Sequence, residues 1–329
     1  MKILLTGCAG FIGSHLLDRL LSEGHEVVGI DCLDANYAEQ IKRTNIAKHL
    51  LKPQQNSSFK FIQSNLDVET TYAKLRSQKL TNFDCILHLA STTNLHGYDE
   101  AEEDHTSNIN ITLRLLEFAR EEEIPQFIFA SSIRVYGRNS KVPWSETLEN
   151  LQPVNSSDSI KYYCEQLGRV YSANYPIRFL ALRLATTYGP RQPPTMALHT
   201  FAQNIRDGST ILLNGDGYTR RDYVYIDDVV DGFIAALNYK SSAYEVINLG
   251  GNQALELYDL IAQLEVCLNL QADIEQLPRT QQELDITHAS TEKATQLLHY
   301  HPKVSFEDGV QHFAEWFINT NHTNTPLTS

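Results

Sequence analysis

The chain has 329 residues, 42% of them hydrophobic, which is enough apolar material for about two domains with buried cores and excludes intrinsic disorder. Acidic residues outnumber basic ones 40 to 27, a formal charge of −13, which excludes the basic face that a nucleic-acid partner requires. No apolar run approaches the ~20 residues of a membrane span, and Lys2 with a short apolar stretch running straight into glycines lacks the layout of an export signal, so a cytoplasmic location is expected.

Short β-branched runs predict strands at Lys2–Thr6, Glu26–Ile30, Phe59–Gln63, Asp84–Leu89, Gln126–Ser131 and Ile177–Leu184. Helical periodicity falls between them, at Phe11–Ser22, Ile41–Leu51, Val68–Ser77, Thr106–Glu121 and Ser157–Asn174. The alternation implies βαβ units and an α/β fold: a Rossmann-type doubly wound parallel sheet with a smaller C-terminal α/β substrate lobe. The apolar run Cys85-Ile-Leu-His-Leu fits a strand covered by helices on both faces. After Gly189 prolines crowd together and the alternation becomes irregular. The expected division is 1–188 for the dinucleotide domain, joined by about 226–250, with 189–225 and 251–318 forming the substrate lobe. A helix near Asp227–Asn238 and a strand Tyr244–Asn248 return to the large sheet. The polar stretch Pro53–Ser58 is expected to be a solvated loop, and 319–329 a mobile tail. Five cysteines (Cys8, Cys32, Cys85, Cys164, Cys267) stand singly with no metal-like spacing, which suits reduced thiols.

The first strand runs into Gly7-Cys-Ala-Gly10-Phe-Ile-Gly13 and a helix follows. Gly7 permits the tight turn, Gly10 lets the backbone approach a pyrophosphate, and Gly13 lets helix and strand pack closely. The helix N-terminus offers free N–H groups and the positive end of its dipole. Asp31 ends the second strand, 18 residues after Gly13, where a carboxylate accepts ribose hydroxyls and repels a 2′-phosphate. With nothing basic next to Asp31, the expected cofactor is NAD rather than NADP.

The spacing GxxGxxG, with His88-Leu-Ala, Ser107-Asn108-Ile109, Ala130-Ser-Ser-Ile-Arg-Val-Tyr-Gly137, Tyr188-Gly-Pro-Arg191, Gly215-Asp-Gly217 and Arg221-Asp-Tyr-Val-Tyr-Ile-Asp-Asp228, resembles the extended short-chain dehydrogenase/reductases, the group of nucleotide-sugar epimerases and dehydratases. The run Tyr188–Ala197 looks most like the branch of UDP-glucuronate and related UDP-sugar 4-epimerases. The resemblance implies tightly held NAD, a sugar oxidised to a transient keto-sugar, and return of hydride to its other face. It also implies cofactor contacts along the first turn at Gly7, Gly10, Phe11, Ile12 and Gly13. Further contacts follow at Asp31, Asn65 and Leu66, at Leu89, Ala90 and Ser91, and at Asn108, Ala130, Lys161 and Leu184. Asn65 stands where the family usually has an adenine-contacting aspartate. Ser132 matches the catalytic Ser/Thr, Lys161 the catalytic Lys, and Glu165 the glutamate that follows it.

One departure is sharp. Four residues before Lys161 the family has its base, a tyrosine, and this chain has Ser157. No tyrosine in the chain precedes a lysine by four residues, and Tyr162 and Tyr163 point off the helix face that holds Ser157 and Lys161. A serine hydroxyl needs a separate base, and losing a positioned acid/base costs roughly 10²–10⁴-fold in rate. Candidate substitutes are Cys164, on the same face, where a nearby Lys favours the thiolate but a buried structural thiol is the favoured reading, a water held by Ser157 and Lys161, and His96 in the loop after the fourth strand. Ile133 and Arg134 stand where 4,6-dehydratases carry Asp and Glu, which argues against ordinary dehydration, and Arg134 also argues against decarboxylation.

On the substrate side, Arg221 matches the arginine that grips a UDP diphosphate, and Arg191 is a second candidate. Thr195, Met196 and Ala197 match the segment beside the nucleotide. Thr186 and Asn214 depart from the family pattern, and Glu283 matches an acidic residue near the ribose. The expected partner is a nucleotide-sugar, UDP-linked by preference, and a homodimer through the helices Thr106–Glu121 and Ser157–Asn174 is expected by the same resemblance. UDP-sugar 4-epimerisation is the leading activity. A dehydration with a relocated base, a catalytically weak NAD or nucleotide-sugar binding protein, and a redox reaction on a smaller carbonyl compound stand as alternatives.

Overall fold

The structure is a computed structural model that describes residues 1–51, 58–91, 102–139, 141–279 and 283–322. In chain order the first half runs β1 (Lys2–Thr6), α1 (Phe11–Ser22), β2 (Glu26–Asp31), α2 (Glu39–Leu50), β3 (Phe59–Gln63), α3 (Glu69–Ser77), β4 (Cys85–His88), α4 (Glu102–Glu121) and β5 (Gln126–Ser132). A 3₁₀ turn (Ile133–Tyr136), α5 (Ser156–Asn174), β6 (Arg178–Leu184), β7 (Thr186–Tyr188), α6 (Ala197–Asp207), β8 (Thr210–Asn214) and β9 (Arg220–Tyr225) follow. The chain closes with α7 (Ile226–Leu237), β10 (Tyr244–Leu249), β11 (Ala254–Glu256), α8 (Leu257–Leu268), β12 (Asp273–Leu277), α9 (Glu292–Leu298) and α10 (Phe306–His322).

Seven strands form one wholly parallel sheet in the order β10-β6-β5-β4-β1-β2-β3. The order reverses between β1 and β4, and in such a sheet ligands lie in the crevice outside the strand C-termini at that point. Period-2 alternation sends side chains to both faces: Ile3 and Leu5 enter one buried cluster and Leu4 the other. The sequence-predicted strands and helices all form, with ends displaced by up to four residues. Asp31 ends β2, as the sequence indicated.

The segment after Gly189 builds two small sheets instead of one pattern: β7 parallel to β9 with β11 antiparallel beside it, and β8 parallel to β12. α7 packs on α1, and β10 extends the large sheet as expected for Tyr244–Asn248. α10 runs to His322, so Asn319–His322 are helical rather than part of a tail. The expected loop before Ser58 and the last seven residues lie outside the described residues.

α5 is held against β6 at close range because Gly168 has no side chain. A Cβ there would lie 2.3 Å from the Phe179 ring. Phe179 itself stacks between Phe127 and Tyr244, with centroids 5.3 and 6.1 Å away, and cannot yield. Gly168→Ala is therefore expected to overpack this contact and to lower stability by about 1–3 kcal/mol. Urea denaturation checks this, and an unchanged midpoint would show that α5 can shift freely.

Candidate active site

The β1–α1 turn is set by backbone approach. Gly7 has φ +69°, and a Cβ on it would lie 2.8 Å from the Ala90 nitrogen. A Cβ on Gly13 would lie 2.0 Å from the Gly7 carbonyl oxygen. Both positions thus require glycine, one for its dihedral and both for space. Gly10 precedes α1 without a side-chain cap, so the first N–H groups of the helix open on a cleft of about 420 Å³. Asp31 closes the far side. Its Oδ2 accepts from the Ala9 N–H at 3.0 Å and its Oδ1 from the Leu33 N–H at 2.9 Å. Burial raises its pKa, while these two N–H groups and Lys42 oppose the rise. The Tyr37 hydroxyl, on the same wall, is buried without a partner among the described residues. A glycine cradle beside a helix start, a fixed carboxylate and an unpaired buried hydroxyl fit a dinucleotide with its pyrophosphate on α1 and a ribose at Asp31.

One expectation needs correction. A base does stand near Asp31: Lys42 reaches back from α2 into the cleft, donating to Asp34 Oδ1 at 2.6 Å and to the Asp34 carbonyl at 3.0 Å. Its charge is therefore already paired with the Asp34 carboxylate, and both acidic groups remain on the ribose side.

A polar network spans the C-terminal ends of β1 and β4 and reaches α4. The N–H groups of Leu89 and Ala90 donate to Thr6 Oγ1 at 3.2 and 3.1 Å. The Thr6 hydroxyl proton is thereby directed to His88 Nδ1, 2.8 Å away. His88 then carries its proton on Nε2 and donates to Thr112 Oγ1 at 3.1 Å, and Thr112 donates to the Asn108 carbonyl at 3.0 Å. Burial, aided by the charge of Lys161, pushes His88 down to about 3, so it is neutral.

Lys161 donates from Nζ to the Ala130 carbonyl at 2.9 Å and lies 4.9 Å over the Phe129 ring, with its pKa lowered by burial. Its anchor is two residues from Ser132 on β5, so the two predicted catalytic side chains share one strand end. Ser132 Oγ accepts the Arg134 N–H at 3.1 Å, which leaves its own proton to donate outward. Ser157, on the first turn of α5, lines a small cavity of about 10 Å³ with Ser91, Asn108, Lys161 and Cys164. Cys164 is only 1% exposed, and burial raises its thiol despite the neighbouring Lys161 and a hydrogen bond to Thr112. It is a buried, protonated thiol, which fits the favoured structural reading of Cys164 and not the thiolate alternative.

A second cavity, of about 470 Å³, opens between β5, β7, β9 and α6. Ser132, Arg134, Thr186, Asn214, Arg221 and Glu283 are among its walls. Arg221 donates to the Leu284 carbonyl at 2.8 Å and lies 3.6 Å from Glu283 Oε1, while Glu283 Oε2 is buried without a partner among the described residues. Met196 lines both cavities, so they adjoin at this side chain.

Most of the predicted cofactor residues line the first cleft. Asn108 and Lys161 line the small cavity instead, and Leu184 lines the second one. Arg191 turns away from the second cavity. It pairs with Asp18 at 2.7 Å and reaches Ser14, bracing α1. Thr195 is not among the cavity walls, and its hydroxyl is buried without a partner among the described residues. His96 lies outside the described residues. Sequence reasoning missed Tyr37 and Lys42 in the cleft. The spacing Asp34-x-x-Tyr37-x-x-x-x-Lys42 was a usable signal, since a lysine on the first turns after a strand-end loop can fold back onto it.

The parallel sheet with its reversal of strand order, the glycine turn and the two adjoining cavities define a dinucleotide-dependent α/β enzyme. The chain belongs to the NAD dependent epimerase/dehydratase family, whose model matches residues 3–250. It is 35% identical over 317 residues to the uncharacterized UDP-glucose epimerase YtcB of Bacillus subtilis, covering 94% of this chain and 96% of that one. It is 32% identical over 315 residues to a UDP-glucuronate 4-epimerase of Thermodesulfobacterium geofontis, covering 95% of each. The Bacillus cereus UDP-glucuronic acid 4-epimerase, solved with UDP-glucuronic acid and NAD, superposes with a TM-score of 0.88 at 34% identity, covering 97% of this chain and 100% of that one.

The neutrality of His88 has a pH consequence. Its pKa is depressed from about 6.5 in the unfolded chain to about 3 in the fold, so its contribution to stability is complete above pH 6.5 and is lost as pH falls toward 3. His88→Gln is expected to flatten the fall of Tm between pH 7 and 5. Equal slopes in wild type and variant would show that His88 already binds its proton in the fold.

Proposed function

We propose that this protein is an NAD-dependent nucleotide-sugar 4-epimerase, with UDP-sugars as substrates and an acid/base that is not tyrosine. The observation that carries this reading is the meeting of the two cavities at Met196 and at the end of β5, where Ala130 lines one and Ser132 the other. A sugar in the second cavity would reach the mouth of the cofactor cleft there. NAD supplies a reversible hydride acceptor for the sugar carbon. Ser132 donates its free proton to a sugar oxygen, and Lys161, locked on Ala130, sets a positive charge beside it. Arg221 takes the diphosphate.

Proton transfer falls to a water held by Ser157 and Lys161. The cavity between them is about 10 Å³, close to the volume one water needs, and is rimmed by polar groups that can hold it. Ser157 itself favours a second reading, a protein that binds NAD and nucleotide-sugar with little turnover.

The exposed side chains of α4 and α5 include Leu113, Tyr163 and Val170, and the last two lie seven residues apart on one face. This supports a homodimer through these helices, and five free cysteines support a reducing, cytoplasmic setting. Light scattering is expected to give a dimer and Val170→Glu a monomer. A monomeric wild type overturns that part.

The NAD-loaded protein, incubated with UDP-, GDP- and dTDP-sugars, is expected to convert a UDP-sugar slowly. Ser157→Tyr is expected to raise that rate by about 10²-fold or more. Sugars that bind by calorimetry without product would leave the binding reading in place of the epimerase. A Ser157→Tyr variant that binds NAD but turns over no faster would refute the assigned site geometry.

A further inference from the structure

The ribose side of the cofactor cleft carries a cation to which the dinucleotide reading gives no task. Lys42 on α2 is only 4% exposed, and among the described residues it is the one basic side chain on the cleft walls. Its Nζ donates to Asp34 Oδ1 at 2.6 Å and to the Asp34 carbonyl at 3.0 Å, and it lies 4.6 Å over the Tyr37 ring. The next cation along α2, Arg43, turns outward, pairing with Glu39 at 2.6 Å and donating to Gln63 at 3.1 Å. Asp34 is itself held by the Asn36 N–H, which donates to the same Oδ1 at 3.0 Å. One carboxylate thus fixes both the turn after β2 and the lysine that folds back over it.

These charges act on one another. Burial raises the Asp31 carboxyl; the charge of Lys42 reaches it and opposes the rise, while Asp34 adds to it. Burial also raises the Tyr37 phenol, and the charges of Asp31 and Asp34 push it the same way. The ribose wall therefore sets two carboxylates against one ammonium. Without the charge of Asp34 the wall would be balanced, and Lys42 would stand unpaired within reach of Asp31. An ammonium binds phosphate as a point charge on a flexible stem and needs no fixed fork. Asp31 repels a 2′-phosphate, but a bare lysine beside it would cancel that repulsion. Asp31 alone does not account for the choice of cofactor.

We propose that Asp34 is a second cofactor-specificity residue, which excludes NADP by occupying Lys42, so that a single carboxylate separates this cleft from one that accepts a 2′-phosphate. The inference rests on the dinucleotide assignment of the cleft and holds whether the sugar is epimerised or only bound. Asp31 receives the ribose hydroxyls, and Asp34 withholds the cation that would compensate a phosphate placed there.

The test is cofactor exchange. Purified protein is equilibrated with NAD and enough excess NADP to give measurable uptake, then desalted, and the bound cofactors are extracted and counted by chromatography. Asp34→Asn keeps an acceptor for the Asn36 N–H while removing the charge. It is expected to raise the bound NADP-to-NAD ratio about 10- to 100-fold at unchanged total occupancy, the worth of one charge-assisted contact. Added salt is expected to shrink that gain. Asp34→Asn with Lys42→Met is expected to return to within about threefold of the wild-type ratio, because carboxylate and ammonium are removed together. Lys42→Met alone leaves two carboxylates without a cation and is expected to lower the ratio below wild type. An unchanged ratio in Asp34→Asn overturns the proposal. So does a gain that survives the loss of Lys42, which would assign the exclusion to the charge of Asp34 alone. If Asp34→Asn holds neither cofactor, Lys42→Met decides, and a ratio equal to or above wild type overturns the proposal. Those results leave the dinucleotide assignment standing. A wild type that takes up neither cofactor overturns both.

Discussion

The site depends on a buried ion pair beneath it. Glu165 on α5 is fully buried and accepts Arg183 of β6 through two parallel bonds, Nε at 2.9 Å and Nη2 at 2.7 Å, while Ser131 of β5 donates to the same carboxylate at 2.5 Å. Arg183 also lies 4.7 Å over the Tyr136 ring, and Tyr136 donates to Asn248 at 2.9 Å. One carboxylate thus ties α5 to two strands and, through Tyr136, to the end of β10. A buried pair of this kind is weak as a source of net stability, because desolvation offsets the attraction, but removing either partner strands a charge. Its effect is positional. α5 cannot slide, and Lys161, one turn earlier, meets the Ala130 carbonyl.

This scaffold explains how the chain keeps a complete active-site frame around Ser157. The start of α5 is fixed by the Asn155 cap, by the Arg134–Asp158 pair and by the burial of Ile160 and Cys164. None of these involves the side chain at 157. A phenol can be lost there without disturbing the helix, Lys161 or the network through His88. The difference is confined to one side chain on the first turn of α5.

The large sheet was legible because its signals are local. Apolar runs of four to seven residues, helical periodicity between them and a glycine turn after β1 each report on their own segment. The second half was less legible because its pairings are remote. β12 (Asp273–Leu277) pairs with β8 (Thr210–Asn214), more than sixty residues away, and its mostly exposed, mixed side chains give no apolar run to read. Among site residues, backbone-determined positions were readable: Gly7, Gly13 and Asp31 stand where the turn and strand end require them. Long side chains were not. Arg191 reaches a partner that spacing does not specify, Asp18 on α1. For a flexible cation, position in the sequence fixes only the root of the side chain.

Charge explains why a few arginines carry so much of the site. At −13 the chain repels an anionic ligand at a distance, although salt screens that repulsion beyond about 8–10 Å. Inside the second cavity the balance is reversed: among the described residues Arg134 and Arg221 face one wall carboxylate, Glu283, in surroundings where pairwise attraction is stronger than in water. Recognition must therefore come from short, directed contacts rather than from long-range attraction. A guanidinium held rigidly from behind, as Arg134 is by Asp158, suits that requirement, because little side-chain freedom is left to lose when an anion arrives.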